Sequence, residues 1–239
     1  MLIRLLLALL LFSCSSEIYQ WFDGTLDEAL SLAEEANKII LLDFYSNGWG
    51  GCVRLDAETL SNQQIIKFSN QHFISLKLNP WDNKNDSNLL DAYNGKAIPL
   101  LIFINQNNEE IDRIVGFYPP NEYLPMIKDI YNGKGTFLFL KNKYKDQDIT
   151  SLELSELAMK CGDNRDQDFC EDVYLSIINS SEVSNEDVLF KAELFFVNKN
   201  LSSGKILPAI NLLNRYKDNI NVIDLYNIVI RYFSNEGDI

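Results

Sequence analysis

Four cysteines and a single histidine are the most chemically versatile side chains in this chain of 239 residues. A thiolate is a nucleophile and a metal ligand, and accessible thiols pair as disulfides in an oxidising compartment. Cys161 and Cys170 are separated by the polar segment GDNRDQDF, which suits a disulfide across the turn between two helices. Two unpaired thiols are the alternative. Cys14 and Cys52 then each need a separate explanation.

Cys52 ends the glycine-containing loop SNGWGGC, which directly follows the apolar run IILLDFY. The run predicts a buried strand over 39–45, and the residues after the loop predict a helix from about Cys52. The dipole and free N–H groups of a helix N-terminus favour a thiolate, so Cys52 is a candidate catalytic residue. A small, buried and inert cysteine is the alternative. Gly50 and Gly51 indicate a flexible or tightly turned loop.

Composition and motifs argue against several other classes of site. His72 begins a predicted strand away from the loop, so neither a Cys–His pair nor a histidine metal site is supported. The segment NPWDNKNDSN lacks the glycine and the distal glutamate of an EF-hand, and we interpret it as a solvated loop. A net charge of −13 disfavours nucleic acid as a partner. We therefore expect no metal, no cofactor and no nucleic-acid partner.

The first residues, MLIRLLLALLLFSCSS, have the features of an export signal. The apolar run 5–12 is shorter than the roughly 20 residues that cross a bilayer, which favours a signal peptide over 1–13. Leu11-Phe12-Ser13-Cys14 resembles the lipobox of bacterial lipoproteins, in which the cysteine is lipidated; a plain signal peptide is the alternative. We expect a periplasm-facing protein anchored to the cell envelope through a lipid on Cys14. Ser15 favours the outer membrane.

The next part of the chain predicts an α/β domain over 25–132, joined to the lipid by a tether over 14–24. A capping box at Thr25 opens a helix, and strand patterns follow at 39–45, at 72–78 and on both sides of a turn at 106–108. Helices between these strands and a closing helix that reaches about Tyr131 give the order α-β-α-β-α-β-β-α. This order predicts a mixed central sheet with helices on both faces.

The character of the chain changes after residue 132. The stretch 133–149 is rich in glycine and charge, and we predict a linker there. From Thr150 onward only helical patterns remain, which predicts an all-α domain of helical hairpins over 150–239. A simple helical cap on the first domain is the alternative. The five predicted helices cover 150–160, 168–179, 185–199, 204–216 and 222–233.

Three stretches within 25–131 resemble the thioredoxin-like superfamily. KIILLDFYSNGWGGCVRLDAETL resembles the strand, active-site loop and helix of this family, and the proline of KAIPLLIFI, Pro99, lies where the family has a cis-proline. EEIDRIVGFYPPNEYL resembles the last strand, with its Gly116, and the closing helix. The resemblance is strongest to the periplasmic branch that includes the C-terminal domain of the thiol:disulfide interchange transporter. It implies a thioredoxin fold.

The active-site loop departs from the family pattern. The resemblance places Trp49 where the family has its nucleophilic first cysteine, and Cys52 where it has the resolving second cysteine. A tryptophan cannot attack a disulfide, so ordinary two-thiol turnover is not expected. Asp43 precedes the loop, at a position where family members carry a buried carboxylate or none; an outward-pointing side chain is the simpler expectation here.

The resemblance also implies a peptide-binding surface. In the family the residue before the cis-proline, here Ile98, pairs its backbone with an extended client, so Trp49 beside Ile98 and Pro99 would form an apolar landing surface. Trp49 covering the sheet edge is the alternative. Our first hypothesis is a module that binds envelope proteins or peptides. The second is a single-thiol reductase, isomerase or glutathione-linked protein that uses Cys52, and the third is a purely structural support.

Overall fold

The computed structural model describes residues 17–163, 165–217 and 222–236. A four-stranded sheet with the order β2-β1-β3-β4 lies at the centre of the N-terminal half. β1 and β2 are parallel, whereas β3 is antiparallel to both β1 and β4. The predicted mixed sheet is therefore confirmed. Its strands are β1 (Ile39–Phe44), β2 (Phe73–Leu78), β3 (Leu100–Ile104) and β4 (Glu110–Val115).

Five α-helices cover the two faces of this sheet. The alternation along β1 decides which residue meets which layer: Leu41 packs with residues of α3 and α5, whereas Ile40 and Leu42 pack with residues of α1. α2 begins two residues before the predicted start and continues as a π-helical turn over Leu55–Leu60. The helices are α1 (Leu26–Ala36), α2 (Gly50–Arg54), α3 (Gln63–His72), α4 (Lys84–Ala92) and α5 (Pro120–Tyr131).

The residues before α1, which we predicted as part of a tether, lie against the sheet and α3. The backbone N–H of Phe22 donates to the carbonyl of Ser75 on β2 at 2.7 Å. Further back, Asn70 donates to the carbonyl of Ile18, and the side chain of Gln63 to the carbonyl of Glu17. From residue 17 onward this segment is thus bound to the domain.

The C-terminal half is helical, as predicted. Its first helix, α6, lies inside the stretch 133–149 that was predicted as a linker. A helix forms there because Thr136 caps it and because Phe137 and Leu140 are buried against the helices that follow. No helix of the described residues is both long and apolar enough to span a membrane. The helices are α6 (Phe137–Lys145), α7 (Ser151–Cys161), α8 (Gln167–Asn179), α9 (Glu186–Leu201), α10 (Leu207–Arg215) and α11 (Val222–Glu236).

Candidate functional site

The loop between β1 and α2 places an exposed tryptophan at the start of a helix. Gly48 has φ of +77°, a left-handed conformation that favours glycine, and it lets the chain turn back so that Trp49 N–H donates to the carbonyl of Ser46. Trp49 is the N-cap residue of α2, and its backbone carbonyl accepts from Val53. The Trp49 side chain is 58% exposed. An apolar ring thus stands where the resemblance expects a thiol.

The loop contacts the start of β3 closely. The Ile98–Pro99 peptide bond is cis, and the Pro99 carbonyl accepts a hydrogen bond from Gly116 N–H at 2.8 Å. A Cβ atom on Gly51 would lie 3.1 Å from Cδ of Pro99 and 3.7 Å from the Trp49 indole. Glycine at 51 therefore lets Trp49 and Pro99 approach each other.

A groove of about 670 Å³ opens beside Trp49, and we refer to it as the tryptophan groove. Trp49 and Trp81 both line it and are 58% and 63% exposed. Trp49 and Ile98 were predicted to line such a surface, whereas Trp81 was not. The backbone N–H of Trp81 donates to the Asn79 side chain in a turn that holds the tryptophan in place. The lining residues are Ser46, Trp49, Trp81, Leu90, Asp91, Gly95, Lys96, Ala97 and Ile98.

Cys52 lies in the first turn of α2 and faces the protein interior. Its side chain is 3% exposed. Burial raises the pKa of the thiol, and the nearby carboxylates of Asp43 and Asp56 act in the same direction, while a hydrogen bond from the backbone of Ser46 and the charge of Lys77 act against them. The net shift is opposite to the one expected from the helix N-terminus, so the neutral thiol is the dominant form at neutral pH.

Asp43 is buried beneath the same loop, contrary to the expected outward orientation. It is 1% exposed, and within the described part of the chain neither carboxylate oxygen has a hydrogen-bond partner. Burial raises its pKa to about 7, with Asp56 adding to the shift and Lys77 opposing it. The alternation of side chains along β1 indicates this burial. Asp43 lies two residues after Leu41 and therefore shares its buried face of the strand.

Comparison with known proteins identifies the N-terminal half. Residues 26–131 match the family model described as a thioredoxin-like domain. This segment is a thioredoxin-like domain. Over 104 residues, 42% of the chain, it is 26% identical to the thiol:disulfide interchange protein DsbD of Haemophilus influenzae strain PittEE, and it spans 18% of that relative's length.

Two solved structures are also similar to part of this chain. A thioredoxin from Thermus thermophilus is 20% identical with a TM-score of 0.43, and the match covers 48% of this chain and 88% of the other. The oxidised C-terminal domain of DsbD from Neisseria meningitidis is 19% identical with a TM-score of 0.39, covering 46% of this chain and 98% of the other.

His72 takes no part in the site of the thioredoxin-like domain. It ends α3 instead of beginning a strand, and its ring lies 4.5 Å from that of Phe68 and 4.1 Å from that of Tyr131, centroid to centroid. Burial and the charge of Lys38 lower its pKa. No group of three or more His, Cys, Asp or Glu side chains within the described ranges could hold a metal ion.

The remaining cysteines lie outside the loop. Cys161 and Cys170 form a disulfide that joins the end of α7 to α8, with Cα atoms 5.5 Å apart. Of the cysteines in the described ranges, Cys52 is free. Cys14, the predicted lipidation site, lies outside the described residues. The structure therefore brings together Trp49, Gly51, Ile98 and Pro99, whereas Cys52 is buried in the helix that follows the loop.

Proposed function

We propose that this protein is a lipid-anchored, periplasm-facing envelope protein whose thioredoxin-like domain binds segments of other proteins in the tryptophan groove. The single observation that carries the proposal is the pair of exposed rings, Trp49 and Trp81, on the apolar groove that contains Ile98. Tryptophan supplies large contact area at low entropic cost and is enriched among the residues that dominate binding energy. Single exposed apolar side chains are common on protein surfaces and need no explanation. Two large exposed rings on one groove are instead typical of an interaction site.

The groove favours an extended ligand with an apolar anchor. An extended segment that runs beside Ile98 can pair with its backbone, while a large apolar side chain enters between the two indoles. Asp91 and Lys96 offer one charge of each sign to the ligand. The proposed partners are therefore peptides, or exposed segments of envelope proteins, with an aromatic or branched aliphatic residue.

The active-site loop supports binding without two-thiol turnover. Trp49 has no group that attacks a disulfide, and Cys52 is buried with a raised pKa. A single-thiol reductase or isomerase would need Cys52 to be reached by a client, and 3% exposure offers no such access.

The proposed lipid anchor would hold the domain close to the membrane. Glu17 is already bound to Gln63 of α3, so only Ser15 and Ser16 separate it from Cys14. Three residue steps reach at most about 11 Å. In the native host we expect Cys14→Ser to move the protein out of the membrane fraction. Unchanged membrane association in the variant would contradict the anchor.

Binding is tested with a displayed library of random dodecapeptides, which we would select on the chain from residue 15 to 239. The chain has three tryptophans, and Trp21→Phe removes the one outside the groove. Intrinsic fluorescence then reports on Trp49 and Trp81. We expect selected peptides to carry an apolar anchor, and Trp49→Ala and Trp81→Ala each to raise the dissociation constant about tenfold or more.

A matched control changes an exposed apolar residue elsewhere. Leu152 of α7 is 80% exposed, and Leu152→Ala should leave the dissociation constant unchanged. The binding proposal would be overturned if no peptide were selected. It would also be overturned if neither Trp49→Ala nor Trp81→Ala changed the affinity for the selected peptides. Capture that disappears in Cys52→Ser would favour the single-thiol enzyme instead.

A further inference from the structure

The wall of the tryptophan groove is supported from behind by a buried arginine of β4. The Arg113 side chain is 2% exposed, and its Nε and Nη2 both bond the carboxylate of Glu110. Nη2 also donates to the carbonyl of Tyr93 at 3.0 Å, and Nη1 donates to the carbonyl of Asp163 at 3.2 Å. Arg113 therefore joins the end of α4, the sheet and the helical half of the chain.

A second cavity, of about 90 Å³, lies on the far side of the same wall. Lys96 and Ala97 line both this cavity and the tryptophan groove. Gly162 and Asp163 of the helical half line it as well, together with Arg113. Residues 95–98 line the tryptophan groove, and Tyr93 and Asn94 connect them to α4; we call the whole segment, residues 93–98, the groove wall. The helical half lies behind it at Lys96 and Ala97.

The residues behind the groove wall are themselves fixed at several points. The Cys161–Cys170 disulfide closes the connection between α7 and α8 that contains Asp163. Arg165, in the same connection, has a side chain that is 1% exposed, and it pairs with both Glu110 and Asp112 of β4. Its Nη2 lies 2.7 Å from the Asp112 carboxylate. This connection is thus locked to the edge strand of the thioredoxin-like domain.

We propose that Arg113 is a positioning residue for the tryptophan groove, and that the disulfide-closed connection between α7 and α8 holds it in place. The inference rests on the proposed function, because it concerns how that groove is kept ready for a ligand. Among the residues that the structure describes, none of the helical half lines the groove. The helical half acts through the Asp163 carbonyl and Arg113 on the groove wall.

Opening the disulfide removes a covalent constraint from this connection. Asp163 is then free to leave Arg113, and the groove wall loses a fixed support at Tyr93. A site whose binding-competent form is populated only part of the time binds more weakly in proportion to that population. For a coupling of ordinary size we expect the peptide dissociation constant to rise about 5- to 10-fold.

The test measures amide hydrogen exchange in the groove wall without any peptide. In the chain from residue 15 to 239, Cys161→Ser/Cys170→Ser should raise exchange at residues 93–98 about tenfold relative to β1. The ratio separates positioning from general destabilisation, which raises exchange in both segments. Val173→Ala is the control, because it weakens the buried cluster of the helical half without removing a contact to Arg113.

Two further measurements keep the inference testable if the double variant folds poorly. Reduction of the folded protein by dithiothreitol, followed by mass spectrometry, should give the same increase at the groove wall. Arg113→Lys retains the charge but not the planar fork, so it should raise exchange at the groove wall with the disulfide intact. Arg113→Gln should raise it more.

The outcomes separate this inference from the proposed function. Increased exchange at the groove wall with no peptide bound supports the positioning role even where the tryptophan variants show that the groove binds no peptide. Unchanged exchange in the reduced protein and in Arg113→Lys, alongside peptide binding that depends on Trp49, overturns the positioning role and leaves the proposed function standing.

Discussion

Replacing Asp43 by asparagine should remove a pH-dependent loss of stability. The folded state holds this carboxyl group at a pKa of about 7, against an ordinary value of 3.8. Between these values the folded chain keeps a proton that the unfolded chain has released, so the free energy of unfolding falls as pH rises. Below the ordinary value both states are protonated and the penalty vanishes.

The size of the effect follows from the shift in pKa. Each pKa unit corresponds to about 1.4 kcal/mol, so the full penalty above pH 7 is about 4 kcal/mol. About half of it, roughly 2 kcal/mol, develops between pH 5.5 and pH 9. At its isoelectric point a protein carries little net charge and tends to precipitate. The range from pH 5.5 to pH 9 avoids this, because it lies above the sequence pI of about 4.5.

The assay is urea unfolding of the wild type and Asp43→Asn at several pH values across that range. We expect the free energy of unfolding of the variant, taken relative to that of the wild type, to increase by about 2 kcal/mol between pH 5.5 and pH 9. The exposed Asp148 provides a control, since Asp148→Asn should parallel the wild type. Parallel curves for the wild type and Asp43→Asn would refute the buried, proton-binding carboxyl group.

Three further predictions concern the loop and the support behind it. Cys52 should resist iodoacetamide at pH 7.5 until the chain unfolds; rapid modification of the native protein would contradict its burial. Gly50→Ala should leave the chain more stable to heat than Gly51→Ala, by about 1 kcal/mol, because a Cβ at 51 crowds Pro99 whereas one at 50 meets open space. Equal melting temperatures would disprove this contact. Arg165→Met should lower the free energy of urea unfolding by about 2 kcal/mol, since it removes one cation from the buried Asp112, which keeps its ion pair with Lys160; a change below about 0.5 kcal/mol would show that the Arg165–Asp112 pair is dispensable.

Local patterns predicted much of the fold. The capping box predicted at Thr25 forms, and the apolar run at 39–45 contains the central strand β1. The spacing of Cys161 and Cys170 predicted their disulfide. In each case the signal lies within a few residues, and local hydrogen bonding or burial decides the outcome.

The features that sequence patterns did not reveal depend on contacts between distant segments. Trp81 lies in a polar stretch that has the composition of a solvated loop, and only the fold brings it to the same groove as Trp49. Arg165 lies in the polar segment between two cysteines, where a charged side chain is expected to be exposed. Glu110 and Asp112 are 55 and 53 residues away, and their carboxylates make its burial possible.

Binding in the tryptophan groove without thiol chemistry is the central claim. The most direct test titrates a selected peptide into Trp49→Ala and Cys52→Ser, both in the Trp21→Phe chain, and follows peptide binding by calorimetry. We predict that Trp49→Ala raises the dissociation constant about tenfold or more while Cys52→Ser leaves it unchanged. Binding that survives Trp49→Ala and is abolished by Cys52→Ser would contradict the claim and show that the thiol captures the ligand.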